Sequence, residues 1–170
     1  MSERVTYGFQ LEVTDLGTPT EPIDASAVKS HLGIGFSAHD TEIDRLITAC
    51  RKQVEKKYHK SLIGHSVSVL WLNFYDDEPL PYLPFATTRN LTVTDLDGVT
   101  IESTEYKLRE VGGSALFVGD FPNGVKLTYD TKALSDTDIN NRLIQAVGFC
   151  FRQDMTAEES VKKAFKGADI

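Results

Sequence analysis

The sequence predicts an α+β fold, built from a helical hairpin with a long helix, C-terminal helices, and an inserted small, mostly antiparallel β-sheet. Two observations predict this class. Apolar residues recur every three or four positions over 37–60 and again beyond 138, as they do along one face of a helix. Over 65–130 they alternate with polar residues, as in half-buried strands. A chain of 170 residues can bury a sizeable core, so we expect one domain spanning 1–170.

The longest predicted helix covers 37–60. Ser37 and Asp40 have the spacing of a capping box, which supplies oxygen acceptors to the first free backbone N–H groups. Acidic residues in the opening turns and lysines near the end complement the helix dipole. The side chains expected on the buried face of this helix are Ile43, Leu46, Ile47, Cys50, Val54 and Tyr58.

A shorter helix precedes the long one, with Asp24 as its N-cap and Gly33 at its end. Only a few residues join the two helices, which predicts a helical hairpin over 22–62. In this hairpin we expect Val28 and Leu32 to face the apolar stripe of the long helix.

The start and the middle of the chain carry the strand patterns. Residues 1–20 begin with a short alternating run, which predicts either an edge strand or an arm that orders only against a neighbour. Within the β insertion over 65–130, the segment 75–84 contains three prolines, so we expect a surface loop there. Asp97 and Gly98 lie between short alternating runs and predict a hairpin with a type I′ turn.

Two C-terminal helices and a tail are predicted over 136–166. Ser135 and Asp138 have capping-box spacing at the start of the first helix, which is the natural cover for the long helix. Thr156 and Glu159 repeat that spacing at the start of the last, shorter helix. We expect the tail after it to fray in an isolated chain.

The charge balance excludes some classes of protein. A net charge of −7 argues against a protein that binds nucleic acid by neutralising phosphates, because such binding needs a basic surface. It is compatible with a protein along which DNA must move without being bound. No apolar run approaches the length that crosses a bilayer, so we expect no membrane partner. The first ten residues lack the features of a signal peptide, which predicts a chain that is cytosolic when made.

The chemistry-bearing residues predict no catalytic, cofactor-binding or metal site. The four histidines lack metal-ligand spacing, and the chain has no glycine-rich phosphate loop or nucleophile elbow. Cys50 and Cys150 each fall on the apolar stripe of a predicted helix, so we expect two reduced core thiols. A disulfide between them is possible if the two helices pack side by side.

An enzyme is the alternative from another class: a small cytosolic protein that uses Cys50 or the acidic loop at 76–78. The basic neighbours of Cys50 would lower its pKa, whereas its position on the apolar stripe favours an inert core thiol. We assign the basic residues near the end of the long helix to dipole complementation. They are Arg51, Lys52, Lys56, Lys57 and Lys60.

Several apolar residues have no obvious partner inside the chain. They are Leu80, Tyr82, Leu83 and Phe85 in the proline-rich segment, and Phe165 and Ile170 near the C-terminus. Exposed apolar patches usually mark protein contacts, so these are candidate partner-binding residues. In the alternative, the proline-rich segment simply folds back on the sheet.

The order of the elements and several strings resemble the head–tail connector family of tailed bacteriophages, also called adaptor or head-completion proteins. Segment 22–32 is similar to the opening helix of the family, and 43–62, which ends in YHKSLI, is similar to its long second helix. The strings LPYLPF and NLTVTDLDGVTIESTEYKL resemble its β-insertion, including the Leu-Pro step and the Asp-Gly hairpin. Strand 125–129 and the helix from 138 resemble the closing elements, and the similarity spans roughly 21–153.

This resemblance implies a structural virion protein of the neck, assembled in the host cytoplasm, with no cofactor. Copies form a ring, commonly a dodecamer, beneath the portal protein. The ring extends the channel through which double-stranded DNA passes without sequence-specific binding, and it is the docking platform for stopper or tail-completion proteins. The C-terminal segment of the family reaches toward the portal, which would give Lys163 to Ile170 a partner. The alternative within this class is a neck or tail-completion protein of another layer.

Overall fold

A computed structural model describes residues 6–7, 9–18, 20–86, 90–111 and 114–168, with the backbone alone at 6–7, 75–77 and 111. The chain packs as two compact units. The β unit comprises Met1–Pro19 and Ile63–Ala133, and the helical unit comprises Thr20–Leu62 and Leu134–Ile170. The predicted α+β class is confirmed, whereas a single domain spanning the whole chain stays a prediction.

The helical unit contains four helices among the described residues: α1 Ala25–Leu32, α2 Asp40–Tyr58, α3 Thr137–Gln153 and α4 Ala157–Ala164. One face of α2 is buried in an apolar core to which α3 and α4 contribute, so α3 covers the long helix as predicted. The α1 helix contacts both α2 and α3, and Lys29 Nζ lies 2.7 Å from the Asp40 carboxylate of α2. The packing of α1 and α2 as a hairpin stays a prediction.

Two helix starts agree with the predicted caps. The Asp24 carboxylate accepts a hydrogen bond from the Ala27 N–H at 2.8 Å, and Gly33 ends α1 with a φ of 69°. At α4 both hydrogen bonds of the capping box between Thr156 and Glu159 are present. In both cases the capping residues contact partners three positions away, so sequence spacing is sufficient to find them.

The predicted capping box at the start of α2 is wrong. The helix begins at Asp40 with His39 as its N-cap, and His39 makes no capping hydrogen bond through its side chain. The Ser37 carbonyl accepts from the Asp40 N–H at 3.1 Å in a turn that precedes the helix, and Lys29 engages the Asp40 carboxylate. A salt bridge from another helix has thus taken the carboxylate that the box required.

The cap of α3 is displaced by one residue from the predicted Ser135. Asp136 is the N-cap, and its carboxylate accepts from the N–H groups of Asp138 and Ile139 at 2.8 and 3.0 Å. Asp and Ser are comparable N-cap residues, so spacing alone does not choose between adjacent ones.

The β unit contains eight strands among the described residues: β1 Thr6–Tyr7, β2 Phe9–Asp15, β3 His65–Trp71, β4 Phe74–Pro79, β5 Thr92–Thr94, β6 Lys107–Val111, β7 Ser114–Phe121 and β8 Val125–Asp130. They form a five-stranded sheet in the order β1-β2-β3-β8-β5 and a three-stranded sheet in the order β4-β7-β6. Every neighbouring pair is antiparallel. The N-terminal run is therefore a strand, with β1 on one side and β3 on the other.

The inward residues of both sheets share one apolar core, rich in aromatic rings. Along β3 every second residue is buried, from His65 to Trp71, as the alternation in the sequence predicts. The Phe117 ring of β7 stacks on Trp71 at 5.9 Å and meets Phe74 edge-on at 5.1 Å between ring centroids. These contacts join the two sheets.

The prolines predicted a surface loop over 75–84, but its first part belongs to a strand, β4. The strand β4 lies at the edge of its sheet and pairs on one side with β7. An edge strand tolerates a proline because it needs ladder hydrogen bonds on only one side. Pro79 is the last residue of the strand, so the proline ends it without preventing it.

The hairpin near Asp97 and Gly98 is present, but its turn is not type I′. That type requires a positive φ at both central residues, and only Gly98 has one in this turn, at 85°. The Gly98 N–H donates to the Asp95 carbonyl at 3.2 Å, and the Asp95 N–H donates to the Val99 carbonyl at 2.9 Å. The Asp95 carboxylate also accepts from the Asp97 and Val99 N–H groups, which stabilises this wider turn.

Candidate assembly surfaces

The proline-rich segment folds back on the β unit. Leu80, Leu83 and Phe85 are buried in its apolar core, and Tyr82 is half-buried against it. The Phe85 ring meets Tyr129 edge-on at 5.3 Å, and the Tyr129 hydroxyl donates to the Pro81 carbonyl. The apolar side chains of this segment therefore have partners inside the chain. Their predicted contact with another protein stays untested.

The C-terminal candidates Phe165 and Lys163 differ in exposure. Phe165 is buried in the helical unit, with its ring 5.9 Å from Tyr58. Lys163 is exposed, and its Nζ donates to Gln153 Oε1 at 3.0 Å and lies 4.2 Å from the centre of the Phe149 ring. Ile170 lies outside the described residues. A role for Lys163 and Ile170 at a partner stays a prediction.

The most exposed apolar side chains of the β unit include three that sequence reasoning missed. Leu72, Leu96 and Val99 are 58, 47 and 63% exposed, and we name them the apolar tip. They lie beyond the ends of β3 and β5, which both run antiparallel to β8 and therefore end at the same edge of the sheet. Leu96 covers Gly124, where an added Cβ would lie 2.8 Å from Leu96 Cδ1. An apolar residue inside an Asp-rich turn is the signal that could have found this surface.

The three-stranded sheet presents two edge strands of opposite charge. The acidic edge is β4, which contains Asp76, Asp77 and Glu78 in succession. The basic edge is β6, which also contains the acidic Glu110 and in which Lys107 and Arg109 share one face of the strand. Between them in the strand, Leu108 pairs with the buried Phe117 and packs against the core. Lys107 and Arg109 therefore lie on the outer face of the sheet, where both are exposed.

One member of the predicted basic cluster is not on the surface. Arg51 is 1% exposed, and its guanidinium is paired with the carboxylates of Glu21, 2.8 Å away, and Glu55. Burial acts to lower the pKa of Arg51, but the two carboxylates outweigh it and hold the pKa above its ordinary value. Glu55 also accepts from the Leu62 N–H at 2.8 Å. The group thus joins α2 to the chain before and after it, which dipole complementation did not predict.

The two cysteines are adjacent, reduced and buried, as predicted. Their Sγ atoms lie 3.6 Å apart, and Cys150 Sγ also contacts Ser160 Oγ at 3.2 Å. The hydrogen bond with Cys150, followed by burial, raises the pKa of the Cys50 thiol well above its usual range. The same hydrogen bond lowers the pKa of Cys150 to about 6. Cys50 is fully buried, so the arrangement is typical of a core pair and not of an exposed nucleophile.

Among the described residues, no three or more His, Cys, Asp or Glu side chains converge as a metal site would require. Within the same ranges, no helix combines the length and the apolar composition that crossing a bilayer needs.

A family model for the "Phage gp6-like head-tail connector protein" matches residues 23–111, just over half of the chain. This stretch contains α1, α2 and the strands β3 to β6. It therefore includes both the acidic edge and the basic edge. No curated protein sequence matches the chain significantly.

Solved structures with the same fold include chains of gene transfer agent (GTA) particles. One belongs to the "Neck of empty GTA particle computed with C6 symmetry", with a TM-score of 0.64 and 16% identity. Two others belong to the "Virion of native gene transfer agent (GTA) particle" and the "Neck of native GTA particle computed with C12 symmetry", with TM-scores of 0.59 and 0.54 and 15% identity each. Each alignment covers 93% of this chain and 96% of the other, so the fold is shared over almost the full length of both.

Proposed function

This chain belongs to the phage gp6-like head-tail connector protein family and has the structural role of a connector, and from that premise we propose that its copies form a ring at the head–tail junction of a virion. The ring, a dodecamer, lies beneath the portal protein and extends the DNA channel. Its far side is the docking platform for a stopper or tail-completion protein. The family match over 23–111 is the observation that carries this proposal.

Two further observations support a ring that conducts DNA. Chains of the same fold occur in particle necks computed with C6 and C12 symmetry, which are symmetries that a twelve-membered ring obeys. The net charge of −7 suits a conduit that should not hold the phosphate backbone. We place the assembled protein in the virion neck and its assembly in the host cytoplasm.

The proposed mechanism is geometric, without catalysis. The alternative of a small enzyme that uses Cys50 requires an accessible thiolate there, and this side chain is fully buried with a raised pKa; the form that uses the acidic loop at 76–78 stays untested. We propose that α1 and α2 form the helical hairpin that the sequence predicts, with the Lys29–Asp40 ion pair between them. The helices then serve as a scaffold, and the surfaces of the ring carry the function.

The direct test uses the full-length chain, alone and mixed with the portal protein of the same virus. Sedimentation over a concentration series, with electron microscopy of any large species, should give a closed ring of about twelve copies that binds the portal. If no ring forms under either condition, the proposal is wrong. A ring that does not bind the portal but binds the tail would instead support the second candidate, a neck or tail-completion protein of another layer.

The accessible candidates for partner contact are Tyr82 and Lys163. We expect Tyr82→Ala and Lys163→Ala each to weaken portal binding several-fold without preventing ring formation. The matched control is Lys162→Ala, because Lys162 is an exposed lysine of the same helix whose hydrogen bond goes to Glu158. Equal portal binding by Lys163→Ala and Lys162→Ala would remove Lys163 from the contact.

A further inference from the structure

We infer that Cys50 and Cys150 form a redox-dependent crosslink, in which a small peroxide converts the two thiols into a disulfide that locks the helical unit. Their Sγ atoms lie 3.6 Å apart, although 100 positions separate them in the chain. An S–S bond of about 2.05 Å requires the two sulfur atoms to approach by about 1.5 Å. Cys50 lies on α2 and Cys150 on α3, so the bond joins the long helix to the helix that covers it.

The crosslink connects two separate parts of the chain. The helical unit consists of Thr20–Leu62 and Leu134–Ile170, and the segment Ile63–Ala133 of the β unit lies between them in the sequence. While the thiols are free, the two parts of the helical unit pack through noncovalent contacts. A disulfide stabilises a fold mainly by restricting the unfolded chain, and the effect grows with the length of the loop that it closes. A loop that contains so much of the chain therefore favours a large stabilisation.

Cys150 is the thiol that reacts first with the oxidant. Its sulfur lies 3.6 Å from Cys50 Sγ and 3.2 Å from Ser160 Oγ, and both groups can donate a hydrogen bond to a thiolate. The hydrogen bond with Cys50 lowers the pKa of Cys150 to about 6; burial opposes this effect, while Ser160 and the charge of Arg45 on α2 add to it. The side chain is 6% exposed, whereas Cys50 has no exposed surface. A small peroxide can therefore reach a thiolate at Cys150 and not at Cys50.

The oxidation has two steps and consumes one peroxide. The Cys150 thiolate attacks an oxygen atom of hydrogen peroxide, which forms a sulfenic acid and releases hydroxide. The hydrogen bond to the Cys150 thiolate, burial and the thiolate charge raise the pKa of Cys50, and this step removes the first and third of these causes. Cys50 then loses its proton and attacks the Cys150 sulfur, so that the S–S bond forms while the S–O bond breaks. The protons of both thiols leave in water, and one peroxide is reduced to two water molecules.

The crosslink belongs to the stage after assembly, and this timing rests on the proposed ring in the virion neck. The cytoplasm keeps thiols reduced, whereas a particle outside the host cell meets oxidising surroundings. The chain therefore folds and assembles with free thiols. Oxidation after release then fixes α2 against α3 in a particle that can no longer replace its subunits.

Treatment of the folded, reduced chain with hydrogen peroxide tests the inference. The expected product has both thiols blocked against alkylation, a mass lower by two hydrogen atoms, and a disulfide between Cys50 and Cys150 of the same chain. Its Tm should be higher by at least about 5 °C, because the bond closes a long loop. Reduction with dithiothreitol should reverse these changes. The matched controls are Cys50→Ala and Cys150→Ala, in which peroxide should not raise the Tm.

Three outcomes would overturn the inference: a sulfinic acid at Cys150 with Cys50 still free, a disulfide between two chains, or a crosslinked chain whose Tm is unchanged. Rings assembled from the reduced chain should form the same bond without dissociating, and rings that dissociate on oxidation would overturn the timing. An absence of rings would instead overturn the proposed function, while the peroxide treatment of the unassembled chain would still decide whether the crosslink forms.

Discussion

The two units of the chain stabilise their cores in different ways. In the β unit, the Phe117 ring centroid lies within 6 Å of those of Trp71, Phe74, Tyr106 and Phe121, and these stacked and edge-on rings pack among aliphatic side chains. In the helical unit, the apolar stripe of α2 is interrupted by a buried guanidinium between two carboxylates and by a pair of thiols. A ring core loses stability in proportion to the volume removed, whereas a buried ion loses it when its partner is left uncompensated.

The largest effect is expected from Phe117→Ala in the β unit. Removing a fully buried ring that four others surround should lower the free energy of unfolding by about 3–5 kcal/mol. Urea unfolding of the full chain measures it. Val99→Ala, at an exposed position of the apolar tip, is the control and should stay within about 0.5 kcal/mol of the wild type. A loss near that of the control would mean that the neighbouring rings close the cavity.

A comparable but smaller loss is expected from Arg51→Leu in the helical unit. The change leaves the buried Glu55 carboxylate uncompensated and should lower the free energy of unfolding by about 3 kcal/mol. We expect the low end of the usual range because Glu21, the other partner, is partly exposed and can be hydrated. Lys52→Leu, at the exposed neighbouring position, is the control.

The companion variant shows whether the charge or the packing matters. Adding Glu55→Gln to Arg51→Leu removes the uncompensated charge, while the amide oxygen can still accept the Leu62 N–H. The double variant should therefore regain part of the stability lost by Arg51→Leu. If it is less stable still, the carboxylate contributes through contacts other than the ion pair.

The thiol pair should contribute less. Cys50→Ala removes one buried sulfur atom and one weak hydrogen bond, so a loss of about 1–2 kcal/mol is expected. The loss should also depend on pH. Cys150 has a folded-state pKa of about 6, below that of an ordinary thiol near 9, so its contribution to stability is lost as the pH falls through 6 and is fully present only above 9.

Because the hydrogen bond from Cys50 causes that lowered pKa, the stability difference between wild type and Cys50→Ala should widen as the pH rises from 6 to 9. Thermal melts at several pH values measure it. Cys150→Ala is the control: it removes the titrating group itself, so its own free energy of unfolding should not show this rise with pH, and its difference from the wild type should widen over the same range. A constant difference for Cys50→Ala would mean that Cys150 does not ionise in this range.

The smallest effects compare one interaction in both units. The Asp136 carboxylate in the helical unit and the Asp95 carboxylate in the β unit each accept two backbone N–H groups at 2.8–3.0 Å. Asp136→Ala should cost about 1 kcal/mol because it leaves the start of α3 uncapped. Asp95→Ala should cost about 0.5 kcal/mol because water can reach that exposed turn. Ser135→Ala should be neutral, and a cost equal to that of Asp136→Ala would restore the predicted cap.

Sequence reasoning was most successful where a feature depends on neighbouring residues, although it displaced the cap of α3 by one residue and gave the turn near Asp97 the wrong type. The capping box at Thr156 and the cap at Asp24 connect residues three positions apart, and both formed as predicted. The box at Ser37 failed because Lys29, on another helix, holds the Asp40 carboxylate. For the candidate surfaces, the sequence predicted apolar side chains that have no partner inside the chain and contact another protein. It assigned them to Leu80, Leu83 and Phe85, which the β unit buries.

The sequence by itself determined the class and order of the elements, because periodicities of two and of about three and a half residues are local properties of the chain. It also determined the charges that strands β4 and β6 carry. Only the tertiary structure decided that these strands are the two edges of one sheet, since each pairs with β7 and neither is next to the other in the chain. It likewise decided the burial of Arg51, whose partner Glu21 lies 30 residues earlier. Contacts between distant residues leave no period in a sequence.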